Sequence, residues 1–253
     1  MDYIVPKSVL DSAPQVFRWR AGDREVWVKR RRPHKNPLGW WAQRLIYRVT
    51  GIILALPPDR PPGNTVRFEA ETIQRLGELG LRVPQVLHVE DDYFVMSDAG
   101  VTLERHLAAN PAKAGEFIDR AARELRALHR RDTAHGGAQI KNLTVRDGDI
   151  HFIDFEERIP RRRLHEFQVR DLFLFLLSLE RAGHDPDIAG VCRSYGGPDG
   201  DRALADVCRA LTQLWLVRVF DWRVFSFLSM RDIRGLCRLI HKAEALGPLQ
   251  GAT

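Results

Sequence analysis

The stretch that most constrains the fold is Thr133–Glu157, which contains a short hairpin between polar loop residues. Two β-prone runs flank the sequence Arg-Asp-Gly-Asp at 146–149, and an Asp-Gly pair is typical of a tight hairpin turn. Asn142 precedes this hairpin and Asp154 follows it, so the hairpin predicts that the two side chains lie close together. Amide and carboxylate oxygens are hard ligands, suited to a Mg²⁺ ion that bridges nucleotide phosphates.

The pattern resembles the catalytic loop and metal-binding segment of the protein-kinase-like superfamily. It is most similar to bacterial lipopolysaccharide core (heptose and Kdo) kinases and to aminoglycoside and choline kinases, which read H-G-D-x-x-x-x-N, a hairpin, and then I-D-F/W-E/G. The matching residues are His135, Gly136, Asn142, Ile153, Asp154 and Phe155. Gly137 stands where that family has its catalytic aspartate, and a glycine cannot accept a proton from a substrate hydroxyl.

The resemblance implies an α+β, bilobal kinase-like fold. We expect a small, β-rich N-lobe with one helix over residues 1–97 and a larger, mostly helical C-lobe over 98–253, with the catalytic-loop-like hairpin at 133–157. The hinge is predicted at 97–100, where the adenine of ATP would bond to the backbone. By the same resemblance the cofactors are ATP and Mg²⁺, with the metal held by Asn142 and Asp154.

The predicted N-lobe contains a candidate nucleotide-binding lysine. A hairpin is predicted at 15–29, and its second strand ends in Lys29. In the superfamily a lysine here binds the α- and β-phosphates and pairs with a helix glutamate; the alternative is an ordinary strand-end lysine. On the predicted helix 68–79, Glu69 shares the apolar face, so it is the predicted partner, with Glu71 as runner-up. No G-x-G-x-x-G loop precedes Lys29.

Three further positions in the 133–171 region have predicted roles. Gln139 could orient a substrate hydroxyl, and Glu156, two residues after Asp154, could accept its proton. Asp171 starts a strongly apolar run, and a buried carboxylate needs a partner. The resemblance implies that Asp171 supports the loop from His135 to Asn142; the alternative is that it N-caps its own helix.

A basic, aromatic insertion at about 30–64 is the most unusual part of the chain. No acidic residue occurs from Val26 to Pro58, and apolar residues recur at helical spacing from Leu38 to Leu56. A helix of this kind can lie on an anionic membrane surface, which predicts peripheral contact through residues 30–56. Packing of the same apolar stripe on the N-lobe is an equal alternative.

Composition limits the cellular setting and the partners. The chain has 253 residues and a net charge of +6, so an anionic sugar or lipid substrate, or a nucleotide, is a plausible partner. Three widely spaced cysteines without a C-x-x-C motif, and an N-terminus without a signal-peptide pattern, predict a cytoplasmic protein, peripheral on the inner membrane face if the insertion binds lipid. Nucleic acid is disfavoured because the basic residues alternate with aliphatic ones.

Two functions from different classes follow from these residues. The first is an ATP- and Mg²⁺-dependent phosphotransferase that acts on a hydroxyl of a sugar or lipid-linked envelope substrate. The second is a pseudokinase, a nucleotide-binding regulatory or scaffold module that lacks the catalytic base. Loss of a general base typically costs about 10²–10⁴ in rate, so Gly137 alone does not decide between them.

Overall fold

A computed structural model of the chain describes residues 3–31, 53–58, 66–212 and 230–246, together with positions 41, 44, 45, 47 and 48 of a helical stretch. The strands are β1 (Val16–Ala21), β2 (Arg24–Arg30), β3 (Val86–Val89), β4 (Tyr93–Met96), β5 (Val101–Thr102), β6 (Leu143–Arg146) and β7 (Asp149–Phe152). The helices are α1 (Lys7–Ser12), α2 (Val66–Glu78), α3 (Leu103–Ala109), α4 (Ala114–His129), α5 (Leu164–Arg181), α6 (Ile188–Gly196), α7 (Gly200–Thr212) and α8 (Met230–Ala245).

The first sheet is antiparallel, with the strand order β1-β2-β4-β3. Alternation along the strands gives it two different faces. The outer face buries Val26, Val28 and Val95 beneath residues of α1. The inner face carries Trp27 and Lys29 on β2 and packs toward the main core of the molecule. The sheet therefore presents Lys29 to the interior, on the side where α2 lies.

Helix α2 begins two residues earlier than the predicted start at position 68. Its apolar face buries Ala70, Ile73 and Leu76, and Glu69 is buried with them. Gly80, with φ of 78°, then lets the chain leave the helix, because glycine adopts positive φ without a steric penalty.

The second sheet has the order β5-β6-β7. Its β6–β7 hairpin is the predicted one, and the residues of its two-residue turn, Asp147 and Gly148, have φ of 52° and 83°. Positive φ at both positions is what the tight hairpin turn requires. Strand β5 and helix α3 were not predicted. Gly100 precedes β5 with φ of 91°, and a Cβ there would lie 2.1 Å from the carbonyl oxygen of Val145.

The helical part confirms the α+β prediction of a small strand-rich region joined to a helical one. Helix α4 buries one apolar face, including Ala121, Leu125 and Leu128. Helix α5 starts at Leu164, so Asp171 lies in its middle and the alternative that Asp171 N-caps the helix is wrong. Within the described ranges, none of the helices combines the length and apolar character needed to cross a membrane.

The basic insertion is described only in part. Trp41 and Leu45 are exposed, at 58% and 63%, whereas Leu56 is fully buried beside Ala134. Tyr47 donates a hydrogen bond to Glu166 of α5. The predicted stripe positions Leu38, Val49 and Ile52 lie outside the described residues.

Candidate active site

Lys29 lies at the centre of a cluster of three carboxylates. Its Nζ is 2.7 Å from Oε1 of Glu69 and 3.2 Å from Oε1 of Glu156, and it also donates to Oδ1 of Asp154. The lysine and Glu69 side chains are nearly inaccessible, while those of Asp154 and Glu156 are 29% and 20% exposed. The cluster thus joins a strand of the first sheet, a helix, and the segment after β7.

Glu69 and Glu71 take opposite positions on α2. Glu69 is 1% exposed and forms the ion pair with Lys29, whereas Glu71 lies on the exposed side of the helix. The helical spacing had predicted this choice, since only the residue in register with Ile73 and Leu76 can face the sheet. The packing of α2 therefore sets the position of the lysine.

Burial and the close approach of opposite charges together set the electrostatics of the cluster. Burial is the largest influence on Lys29 and favours its neutral form, but the three carboxylates together outweigh it and raise the lysine pKa. Burial is the largest influence on Glu69 and raises its pKa to about 7. Lys29 acts to lower this pKa, whereas the neighbouring Asp154 and Glu156 act to raise it. The carboxylates of Asp154 and Glu156 are partly exposed, so a second cation can reach them.

The β6–β7 hairpin holds the predicted metal-binding residues together. The backbone N–H of Ile153 donates to the carbonyl of Asn142 at 3.0 Å, which joins the two ends of the hairpin. Asp154, the next residue, has φ of 72°, an uncommon conformation for a non-glycine residue and one that often marks functional sites. The amide Nδ2 of Asn142 donates to the carbonyl of Gly137 at 2.8 Å.

The oxygen atoms in this region fit a divalent cation of the Mg²⁺ type. One carboxylate oxygen each from Glu69, Asp154 and Glu156 lies within 4.8 Å of the other two. Carboxylate and amide oxygens are the ligands that Mg²⁺ takes in proteins. Asp154 and Glu156 are partly exposed, so such an ion could reach their oxygens. The role of Asn142 as a metal ligand stays a prediction.

Asp171 anchors the loop that leads to Asn142. Its carboxylate accepts hydrogen bonds from the backbone N–H groups of His135 at 2.6 Å, Gly136 at 3.2 Å and Ala138 at 3.2 Å. The ring of His129 donates to it from Nε2 at 3.2 Å. Burial works to raise the pKa of Asp171, but these donors outweigh burial and lower it. The contacts are those expected of a residue that supports the loop.

His135 holds the two sides of the site together. Its Nε2 lies 2.8 Å from the carbonyl of Ile153, so this nitrogen carries the proton. Its ring packs 4.5 Å from that of Phe155. Because His135 is 1% exposed and bonded in this way, it is a positioning residue and not a group that reaches substrate.

Gly136 and Gly137 meet different constraints. Gly136 has φ of 83°, and a Cβ on it would lie 2.7 Å from Cβ of Glu157, so only glycine fits there. A Cβ on Gly137 would be 3.8 Å from Nδ2 of Asn142 and 4.0 Å from Nδ1 of His135, which is ordinary contact distance. The position of the family's aspartate is therefore open to a side chain, and two polar atoms lie beside it.

Gln139, predicted to orient a substrate hydroxyl, and Glu156, the predicted proton acceptor, lie in different surroundings. Glu156 belongs to the Lys29 cluster. Gln139 lines a shallow cavity of about 100 Å³ with Glu104, Lys141 and Arg181. The structure therefore brings Glu156 together with Lys29 and Asp154, and it places Gln139 beside residues of α3 and α5.

Two pairs that support the site were missed by sequence reasoning. Arg170 donates from both terminal nitrogens to Glu157, at 2.9 and 3.0 Å, and this pair packs against Gly136. His129 accepts a hydrogen bond at Nδ1 from the hydroxyl of Tyr195, at 2.6 Å, behind Asp171. The position of His129 on the apolar face of α4 was a usable signal; the Arg170–Glu157 pair has no signature in the sequence.

Comparison with known proteins agrees with this geometry. The model of the phosphotransferase enzyme family matches residues 36–181, more than half of the chain. An uncharacterized protein of Haemophilus influenzae is 31% identical over 53% of this chain and 56% of its own length. The RIO-type serine/threonine-protein kinase Rio1 of Haloferax volcanii is 29% identical over 54% of this chain and 49% of its own. The KEOPS complex subunit Bud32 of Pyrococcus abyssi is 30% identical over 43% of this chain and 49% of its own length.

The chain thus spans about half the length of the curated relatives it matches. The matched region of the family model contains Glu69, the loop anchored by Asp171, and the hairpin that ends at Asp154. The kinase-like relatives and the buried lysine–glutamate pair lead to one assignment. The chain belongs to the phosphotransferase enzyme family, within the protein-kinase-like superfamily.

Proposed function

We propose that this protein is an ATP- and Mg²⁺-dependent phosphotransferase that acts on a hydroxyl of a sugar or lipid-linked envelope substrate at the cytoplasmic membrane face. The observation that carries the proposal is the placement of Lys29 between Glu69 and Asp154. The family match supports phosphoryl transfer as the reaction class. The nucleotide would lie in a cleft between an N-lobe of residues 1–97 and a C-lobe of residues 98–253.

Each residue of the cluster has a proposed role in this reaction. Lys29 binds the α- and β-phosphates, and Glu69 holds the ammonium group in place. Asp154 and Asn142 would hold Mg²⁺. Bound Mg²⁺ supplies neutralisation of phosphate charge. Asp171 and His135 keep the loop and the hairpin in the geometry that Asn142 and Asp154 need.

Because Gly137 stands in place of the catalytic aspartate, we expect this enzyme to be slow. Phosphoryl transfer depends mainly on positioning and on charge neutralisation, which the remaining residues can provide. Without a general base the rate falls by about 10²–10⁴. Glu156 is better placed than Gln139 to take over the aspartate's role, since it lies with Asp154 and Lys29.

The exposed basic residues support an anionic acceptor at a membrane surface. Arg44 and Arg48 are exposed on the same helical stretch as the exposed Trp41 and Leu45. A surface that combines cationic, aromatic and aliphatic groups binds the interface of anionic bilayers. Arg161 and Arg162 are exposed in the segment between Asp154 and α5, where they could contact a charged acceptor.

The second candidate is a nucleotide-responsive pseudokinase, and Gly137 is the observation that favours it. It would use the same Lys29 cluster for binding and would transfer no phosphoryl group. Both functions predict nucleotide binding, so only catalysis separates them.

The test compares wild type with Gly137→Asp and Asp154→Asn. Gly115→Asp, at an exposed glycine with open space in α4, is the matched control for the added charge. Phosphate transfer from labelled ATP to purified envelope glycolipids is measured by mass spectrometry. For the enzyme, wild type is active, Asp154→Asn abolishes activity, and Gly137→Asp raises the rate about 10²-fold or more.

A different result assigns the second function. If wild type is inactive and Gly137→Asp creates activity while Gly115→Asp does not, the natural protein is the pseudokinase. If neither ATP·Mg²⁺ binding nor transfer is detected in any of the four proteins, both functions are wrong.

A further inference from the structure

A tryptophan lies beside Lys29 at the end of the cleft where the nucleotide base is proposed to bind. Trp27 precedes Lys29 by two residues on β2, so both side chains project from the inner face of the sheet. Its cross-strand partner is Met96, the last residue of β4, and the indole packs against the main core. Val26 and Val28, on either side of Trp27 in the strand, face the opposite side.

The indole is held at its edge and near its face. Its Nε1–H donates to Oδ1 of Asp98 at 2.9 Å, and Asp98 lies in the connector between β4 and β5. The guanidinium carbon of Arg18, on β1, is 5.1 Å from the centroid of the ring. The hydrogen bond to Asp98 joins the first sheet to the connector, across the place where the adenine is proposed to bind.

Backbone groups of the connector are already engaged within the protein. The N–H of Ser97 donates to the carbonyl of Gln85 at 2.8 Å, and that of Gly100 donates to Oδ1 of Asp98 at 3.2 Å. The carbonyl of Asp98 accepts from Nη1 of Arg146. A base that hydrogen-bonds to this connector would therefore compete with internal bonds as well as with the indole.

We propose that Trp27 is a specificity-determining residue. With its hydrogen bond to Asp98, here named the Trp27–Asp98 latch, it closes the base end of the cleft. A purine nucleotide then binds only to protein molecules in which the latch is open. A metal-bound polyphosphate binds at the Lys29 end of the cleft whether the latch is open or closed. This inference rests on the proposed nucleotide binding. It adds that the phosphates supply the affinity and that Trp27 hinders binding of the base.

The size of the effect follows from the population of the open state. When the binding-competent state is a minor one, the apparent affinity is reduced by its fractional population. Minor states that lie a few kcal/mol above the major one are populated at about 0.1–10%. Removing the indole should therefore tighten ATP binding about tenfold or more and leave polyphosphate binding unchanged.

The experiment measures dissociation constants for ATP and for inorganic tripolyphosphate, each with Mg²⁺, by calorimetry. Trp27→Ala removes the indole, and Trp27→Phe keeps a ring but removes the N–H donor. Trp19→Ala is the matched control, because Trp19 lies on the neighbouring strand β1 and packs on the outer face. We expect tighter ATP binding in Trp27→Ala, a smaller gain in Trp27→Phe, and no change in the control.

Several results would overturn the inference. Weaker ATP binding in both Trp27 variants would mean that the indole stacks on the base and supports it. An equal change for ATP and tripolyphosphate, or no change for ATP, would mean that Trp27 does not discriminate between base and phosphates. If Trp27→Ala does not fold, Trp27→Phe alone decides. Failure of both ligands to bind any of these proteins would instead refute the proposed function, and the inference with it.

Discussion

The Lys29 cluster and the Asp171 anchor are both buried groups of ionisable residues, and they differ in how their charge is balanced. Around Lys29, three carboxylates share one ammonium group. Around Asp171, one carboxylate accepts three backbone N–H groups and the ring N–H of His129. The first brings several carboxylates together around one lysine, whereas the second surrounds a single carboxylate with hydrogen-bond donors.

The pKa shifts show the consequence of this difference. Burial alone would raise the pKa of both Glu69 and Asp171. For Glu69 burial prevails over the opposing Lys29, with smaller contributions from Asp154 and Glu156, and the pKa rises to about 7; around Asp171 the hydrogen-bond donors and nearby histidines outweigh burial and lower the pKa. A carboxyl whose pKa is shifted by burial within a cluster of charges is common at functional sites, and a buried carboxylate with its hydrogen bonds complete is common at structural ones. We infer that the first cluster is built for a ligand and the second for stability.

The comparison predicts the largest loss of stability at Asp171. Asp171→Ala leaves three loop N–H groups and His129 without their acceptor in the core, so the free energy of unfolding should fall by about 3–5 kcal/mol. Urea denaturation followed by circular dichroism measures it. Asp119→Ala, which removes the acceptor of one hydrogen bond from Ser194, is the control and should cost about 1 kcal/mol. If Asp171→Ala reduces the free energy of unfolding no more than Asp119→Ala does, the distinction between a ligand-binding cluster and a stabilising anchor is wrong.

A second prediction sharpens the comparison through pH. Burial lowers the pKa of His129 below its usual 6.5, although Asp171 opposes the shift. Below that pH the unfolded chain binds a proton that the folded protein does not. The free energy of unfolding should therefore decrease as pH falls from 7 to 5, by up to about 1.4 kcal/mol per pH unit from this residue.

His129→Gln tests this prediction, because glutamine does not titrate. The variant should lose part of the slope of stability against pH between 7 and 5, measured by urea denaturation at several pH values. His241→Gln, at an exposed position of α8, is the control. An unchanged slope in His129→Gln would mean that the pKa of His129 is the same in the folded and the unfolded protein, and a steeper slope would mean that folding raises it; either result contradicts the stated direction of its shift.

The smallest effect is expected at Glu156. Glu156→Gln removes one of three like charges from the Lys29 cluster, so the free energy of unfolding at pH 8 should stay the same or rise by about 0.5–1 kcal/mol. The pKa of Glu69 should also fall below about 7, since Glu156 contributes to raising it. Both are measured from urea denaturation across pH, with Glu71→Gln on the exposed side of α2 as the control. A loss of more than about 1 kcal/mol would show that Glu156 stabilises the fold.

Much of the local structure could be predicted from the sequence. The hairpins at 15–29, 86–96 and 143–152 follow from β-prone runs with turn residues between them, and α2 and α4 follow from apolar residues at helical spacing. Glu69 was identified by its register with Ile73 and Leu76. Strand β5 was missed because two residues are too few to carry a periodic signal. The start of α5 was missed because its first turns, 164–170, are mostly polar.

The sequence by itself determined the residue types of the site and the local elements that carry them, because turn chemistry and apolar periodicity act over a few neighbouring positions. The tertiary structure alone decided that Glu156 joins Lys29, that Arg170 pairs with Glu157, and that Trp27 reaches Asp98. These contacts join residues far apart in the chain or depend on the direction of one side chain. The packing of α2 on the first sheet and the contact of α5 with the segment after β7 set them, and that packing has no short-range signature in the sequence.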